Sequence, residues 1–177
     1  MPHRGDAIVL IGFMGAGKSS TGRALMSRTG LPLYDTDRTV AAHFRLPIAE
    51  IFLVHGEDAF RATESEALAQ IPAGPAIIVT GGGIVLRAEN VRIMQECGTV
   101  VYLTADEETL FERVSRRATR PLLQTENPRV TVSELLRIRE PLYRQAADVV
   151  VDTSELTHDG VAEAVLREIQ SMKRHVS

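Results

Sequence analysis

A chain of 177 residues, 44% hydrophobic and 24% charged, has the size and balance of one soluble α/β domain with a substantial core. A net charge of −3 argues against a general nucleic-acid binder, and no apolar run approaches the length of a membrane span. The single cysteine, Cys97, excludes an intramolecular disulfide and reads as a buried helix-end thiol; with too few residues before the first strand for a signal peptide, a soluble, unprocessed, cytoplasmic protein is expected.

In chain order, the β-branched run at 7–11 reads as a buried strand. It feeds Gly-Phe-Met-Gly-Ala-Gly-Lys-Ser at 12–19, a full match to G-x-x-x-x-G-K-[ST]. In such a loop the glycines let successive backbone N–H groups point inward. Lys18 supplies a point charge for the β- and γ-phosphates, and the Ser19 hydroxyl can ligate Mg²⁺. The nucleotide set expected here is Gly15, Ala16, Gly17, Lys18, Ser19 and Ser20, on the turn into a helix that ends near Gly30.

Further strand-like runs follow at 31–34, 76–79, 99–103 and 148–151, separated by helical patterns. The alternation predicts a three-layer α/β/α domain with a five-stranded parallel sheet, P-loop nucleotide-kinase-like, spanning 1–177 without linker or repeat. Ligands in such sheets bind beyond the carboxyl ends of the strands, so the residues just after each strand carry the functional reading.

Many P-loop enzymes place a Mg²⁺-assisting acid after a later apolar strand, but here the third strand runs into Thr80 and glycines. Asp35 and Asp37, after the second strand, are the available acids. In extended chain a spacing of two sends both to one side, one toward the metal's water shell and the other toward an acceptor hydroxyl. The same pair also reads as a helix start, with Asp37 capping the segment from Arg38 to Phe44, and both readings can hold together.

Gly81, Gly82 and Gly83 read either as a turn needing positive φ or as backbone that approaches a ligand closely. Between Leu110 and Arg144 the chain holds eight Arg and four Glu. Arg61, with Glu64 one helical turn on to hold it, and Arg139 are candidates for a bidentate grip on a carboxylate, which makes a small hydroxy acid the natural acceptor.

These residues together resemble the shikimate kinase family along nearly the whole chain. The resemblance rests on the phosphate loop, Asp35-Thr36-Asp37, Ile51-Phe52, Gly56-Glu57, Phe60-Arg61-x-x-Glu64, the triple glycine, Arg120-Pro121-Leu122-Leu123 and Arg139-x-Pro141-Leu142-Tyr143, in the family's order and spacing. It implies ATP- and Mg²⁺-dependent phosphorylation of the 3-hydroxyl of shikimate, in aromatic amino-acid biosynthesis. Arg61 and Arg139 would grip the carboxylate, Asp37 would meet the ring hydroxyls, and Gly82 with its neighbours Gly81 and Gly83 would line the acceptor site. Lys18 and Arg120 would stabilise the transferring phosphoryl group, Ser19 would ligate the metal, Asp35 would hold it through water, and Arg113 would stack on adenine.

Residues 115–128, with Arg116, Arg117 and Arg120 and no apolar period, read as a closing lid, and 37–61 as a substrate-binding flap. After the last strand this chain has Ser154-Glu155-Leu156-Thr157-His158 where relatives often carry Arg or Pro, leaving His158 to stack on a ligand or to cap the last helix. The other histidines lack metal-ligand spacing. A different small-metabolite kinase of the gluconate type, or a nucleotide-sensing module without catalysis, are the competing expectations. Nothing in the chain demands more than a monomer.

Overall fold

The computed structural model describes residues 5–116 and 124–176. Five parallel strands, β1 (Ala7–Ile11), β2 (Leu33–Asp35), β3 (Ile77–Val79), β4 (Gly98–Thr104) and β5 (Val149–Asp152), form one sheet in the order β2-β3-β1-β4-β5. Seven α-helices flank it: α1 (Lys18–Thr29), α2 (Thr36–Phe44), α3 (Ile48–Ala69), α4 (Ala88–Cys97), α5 (Glu107–Ser115), α6 (Pro128–Ala146) and α7 (His158–Val176). A short 3₁₀ turn covers Ile84–Leu86. The expected five-stranded parallel sheet is the one observed.

β1 is the middle strand, with Val9 opposite Ile78 on one side and Val100 on the other. All five of its residues are buried, which is why it reads as a continuous apolar run rather than an alternating one. β3 and β4 flank it, so the chain leaves β1 at the point where successive crossovers diverge, and a crevice opens beyond its carboxyl end. β5, an edge strand, alternates buried and exposed residues.

Strand boundaries shift by a residue or two from the apolar runs. β2 begins at Leu33 because Pro32 has no N–H for the ladder, although its carbonyl still accepts from Ile77 N at 2.8 Å. Its end is functionally more telling. Asp35 closes β2 and is itself the N-cap of α2, its Oδ1 accepting from Arg38 N at 3.2 Å. Asp37 is therefore not the cap: it lies in the first helical turn, and the extended-chain argument for the two acids pointing the same way does not apply. Helical rise replaces strand alternation two residues earlier than the residue types suggest.

The core is divided. The main cluster joins both faces of the sheet to the helices around it, with Leu10, Ile11, Leu25, Ile77, Val101, Leu103 and Tyr143 fully enclosed. A second cluster of Val40, Ile51, Phe60 and Ala67, with Phe44, Leu46, Ile48 and Phe52 against it, holds α2 to α3. The rings of Phe52 and Phe60 lie 4.6 Å apart within it. At Gly56 the φ of +81° interrupts α3, and a Cβ there would meet nothing within 4 Å, so backbone conformation alone selects glycine. Residues 37–61 thus cover α2 and the first part of α3 and rest on an apolar cluster of their own.

Candidate active site

The phosphate side is built at the end of β1. Gly15 and Gly17 take φ of +82° and +86°, a region that a side chain resists, and Ala16 N bonds to Phe13 O at 3.2 Å to close the turn. Gly17 is the N-cap of α1 and supplies no side-chain cap, leaving the first amides of the helix to an anion. Lys18, only 9% exposed, curls back so that Nζ donates to Gly12 O at 2.7 Å and Phe13 O at 3.0 Å. Ser19 and Ser20 follow, both half-buried. An uncapped helix start, a ring of inward amides and a lysine folded over them fit a polyphosphate, and a serine at the next position fits its divalent cation.

The acceptor side is built from three separate elements around the glycine loop. From α3, Arg61 donates from Nη1 to Glu64 Oε2 at 2.8 Å, and its Nε and Nη2 each reach Glu57 Oε1 at 3.4 Å. Glu64 is fully enclosed, and burial raises its carboxyl above the ordinary glutamate value even though Arg61 pulls the other way. From α6, Arg139 is 7% exposed, and its Nη1 would lie 3.7 Å from a Cβ at Gly82. From α2, Asp37 presses on Gly81, where a Cβ would stand 2.6 Å from its Oδ1 and would also collide with Glu64 Oε1.

Close approach, not backbone conformation, explains Gly81 and Gly83, whereas a Cβ at Gly82 would meet only ordinary contacts. None of the three has positive φ, so that expectation is set aside. At Gly83 any Cβ would overlap the Arg61 guanidinium. The loop is held as well as hemmed in. Gly81 N donates to Thr36 Oγ1 at 3.2 Å, Tyr143 Oη donates to Gly82 O, and Thr80, where an acid is missing, donates to Leu10 O at 2.9 Å. Burial pushes the Tyr143 phenol well above its usual range, so it stays a donor.

The nucleotide side has a second wall. Arg113 on α5 donates to Thr153 Oγ1 and Thr153 O at 2.9 Å, and reaches Gly15 O at 3.5 Å, so it ties the phosphate loop to the segment after β5. The His158 ring stands 3.3 Å from where a Cβ on Gly17 would be, at the start of α7. Thr157, not His158, accepts from Gly160 N. Arg120 and half of the lid expectation, residues 117–123, lie outside the described residues; Asn127, at its far end, caps α6 through Val130 N. Thr36, Tyr143 and Thr153 were not singled out for these roles from sequence. Thr36 and Tyr143 carry a signal only as members of the Asp35-Thr36-Asp37 and Arg139-x-Pro141-Leu142-Tyr143 runs, and Thr153 carries none.

Fold and site together define a P-loop kinase of the small-metabolite class, with a phosphate loop beside a glycine loop that carries arginine and carboxylate side chains. The chain belongs to the shikimate kinase family: that family's model matches residues 14–170. A shikimate kinase of Dechloromonas aromatica is 40% identical over 171 residues, 96% of this chain and 93% of that one. Another, of Thioalkalivibrio sulfidiphilus, is 43% identical over 90% of this chain and 85% of its own. Among solved structures, the shikimate kinase from Acinetobacter baumannii in complex with shikimate superposes with a TM-score of 0.89 at 35% identity, covering 94% of each chain.

Proposed function

We propose that this protein transfers the γ-phosphoryl group of ATP to the 3-hydroxyl of shikimate, giving shikimate 3-phosphate and ADP, with Mg²⁺ bound by Ser19 directly and by Asp35 through water. The observation that carries this reading is the convergence of Arg61 and Arg139 on a side-chain-free glycine loop, opposite Asp37 and beside the phosphate cradle. Two guanidinium groups at one small pocket suit a carboxylate, and the carboxylate of a hydroxylated ring fits both the charge and the confined space.

Each residue then has a defined task. The amides of Gly15, Gly17, Ser19 and Ser20 hold the phosphates at the start of α1, Ala16 N keeps the loop turned through Phe13 O, and Arg113 frames the adenine side. Lys18 exchanges its carbonyl partners Gly12 and Phe13 for phosphate oxygens, and Arg120 joins it on the transferring group. When bound, Mg²⁺ neutralises charge on the β- and γ-phosphates. Arg61 and Arg139 fix the ring through its carboxylate, with Gly81, Gly82 and Gly83 as the floor, so that the acceptor hydroxyl meets Asp37. Asp37 orients that hydroxyl and accepts its proton late in transfer.

Asp35 can serve the metal while capping α2, because capping employs Oδ1. Residues 37–61 move as the acceptor flap, excluding water that would otherwise consume ATP. A soluble substrate and one unpaired cysteine suit a cytoplasmic monomer; among the described residues no helix is long and apolar enough to cross a membrane. The test is a coupled assay of ADP release with ATP and Mg²⁺, with shikimate, gluconate or nucleoside monophosphates as acceptors. Turnover dependent on shikimate is expected, and its absence would sink the reading.

A further inference from the structure

Glu64 sits at the centre of a cluster of charged side chains at the acceptor pocket. Glu64 faces Arg61 and, beyond it, the more exposed Glu57 on its own helix α3; it faces Asp37 from α2 and Arg139 from α6. Arg87 bonds the neighbouring Ser65 hydroxyl at 3.4 Å, the glycine loop brings no charge, and Tyr143 on α6 is a neutral phenol beside Arg139. The carboxylates of Glu57, Glu64 and Asp37 thus lie close to the guanidinium groups of Arg61 and Arg139 before a substrate arrives. Glu64 is the most enclosed of the three, and its Oε1, buried with no hydrogen-bond donor among the described residues, shares with Asp37 Oδ1 the small volume left by Gly81.

We infer that Glu64 takes up a proton from solvent when an acceptor carboxylate binds, so that shikimate binding and protonation of this buried carboxyl are a single coupled event. The inference rests on the acceptor proposed above. A fourth negative charge arriving on the same two guanidinium groups competes with Glu64 for Arg61 and displaces water from the pocket. Both changes disfavour the ionised form of the carboxyl that is buried deepest. Glu57, by contrast, reaches solvent. A proton on Glu64 Oε1 also finds an acceptor in place, since Asp37 Oδ1 faces the same gap. Burial already holds the Glu64 carboxyl above the ordinary range in the free protein, so the added charge needs to move it only part of the way.

The test is isothermal titration of the whole protein with shikimate in buffers of different ionisation enthalpy, from about pH 5.5 to 8, which counts protons taken up per ligand. Wild type should take up a substantial fraction of a proton, up to about one, and affinity should fall by up to about tenfold per pH unit across the window where uptake is largest. In Glu64→Gln the uptake should vanish and affinity become insensitive to pH, whereas a merely structural role would weaken binding and leave the proton count unchanged. In Asp37→Asn the uptake should persist, which keeps the assignment testable if Glu64→Gln does not fold. Zero uptake in wild type, unchanged uptake in Glu64→Gln, or uptake lost only in Asp37→Asn each overturns the inference. Measurable binding heat with zero uptake refutes it while sparing the proposed acceptor, and absence of binding heat removes both.

Discussion

The two halves of the pocket are built by opposite means. The phosphate side is one continuous stretch, β1, loop and α1, seated on the central strand and the main core, and most of its ligand-facing groups are backbone amides. The acceptor side draws single side chains from α2, α3 and α6 onto a glycine loop, and α2 with α3 rests on a separate apolar cluster. A chain segment that carries its own binding geometry tolerates movement elsewhere. A pocket assembled from distant helices can exist only when those helices are correctly placed, and it can open or close as they move.

Four substitutions should break or sharpen that contrast, beginning with the largest effect. Asp37→Asn removes the acceptor-side carboxylate, so kcat should fall by roughly 10²–10⁴-fold while nucleotide affinity stays near wild type; a large loss of ATP binding, measured by titration, would contradict the division. Lys18→Met attacks the other half and should lower kcat by about 10²–10³-fold, with shikimate affinity unchanged in the absence of nucleotide.

Arg139→Lys retains charge but loses the planar fork, and a rise of roughly 10-fold or more in the KM for shikimate with an unaltered KM for ATP is expected from steady-state kinetics. Equal rises in both constants would mean that the halves are not separable at α6. The smallest change is Tyr143→Phe, which keeps the ring stacked on Tyr102 at 5.0 Å and deletes only the hydroxyl that holds Gly82 O. It should cost about 1 kcal/mol of stability in denaturant unfolding and shift the shikimate KM more than the ATP KM.

Legibility in sequence followed the same division. The phosphate loop could be read directly because its parts are adjacent, and positive φ at Gly15 and Gly17 is the conformation that the pattern demands. At Asp35 and Asp37 the residue types were informative but their local geometry was misread, since the switch from strand to helix falls at Asp35. The glycine loop was open to two explanations, and only the positions of Glu64, Asp37 and Arg61 decided for close approach. Thr36, Tyr143 and Thr153 reach the site through bonds that no spacing along the chain encodes.

From residue order alone come the parallel α/β alternation, the phosphate-loop pattern and the expectation that Arg61, Arg139 and Asp37 serve the acceptor, because local periodicity, backbone conformation and side-chain chemistry are properties of short segments. Tertiary structure alone decides that two arginines from different helices meet at one glycine floor and that a buried glutamate and an aspartate share the space beside it. Those facts depend on the distances and the low dielectric that packing creates, and neither exists until the helices have docked on the sheet.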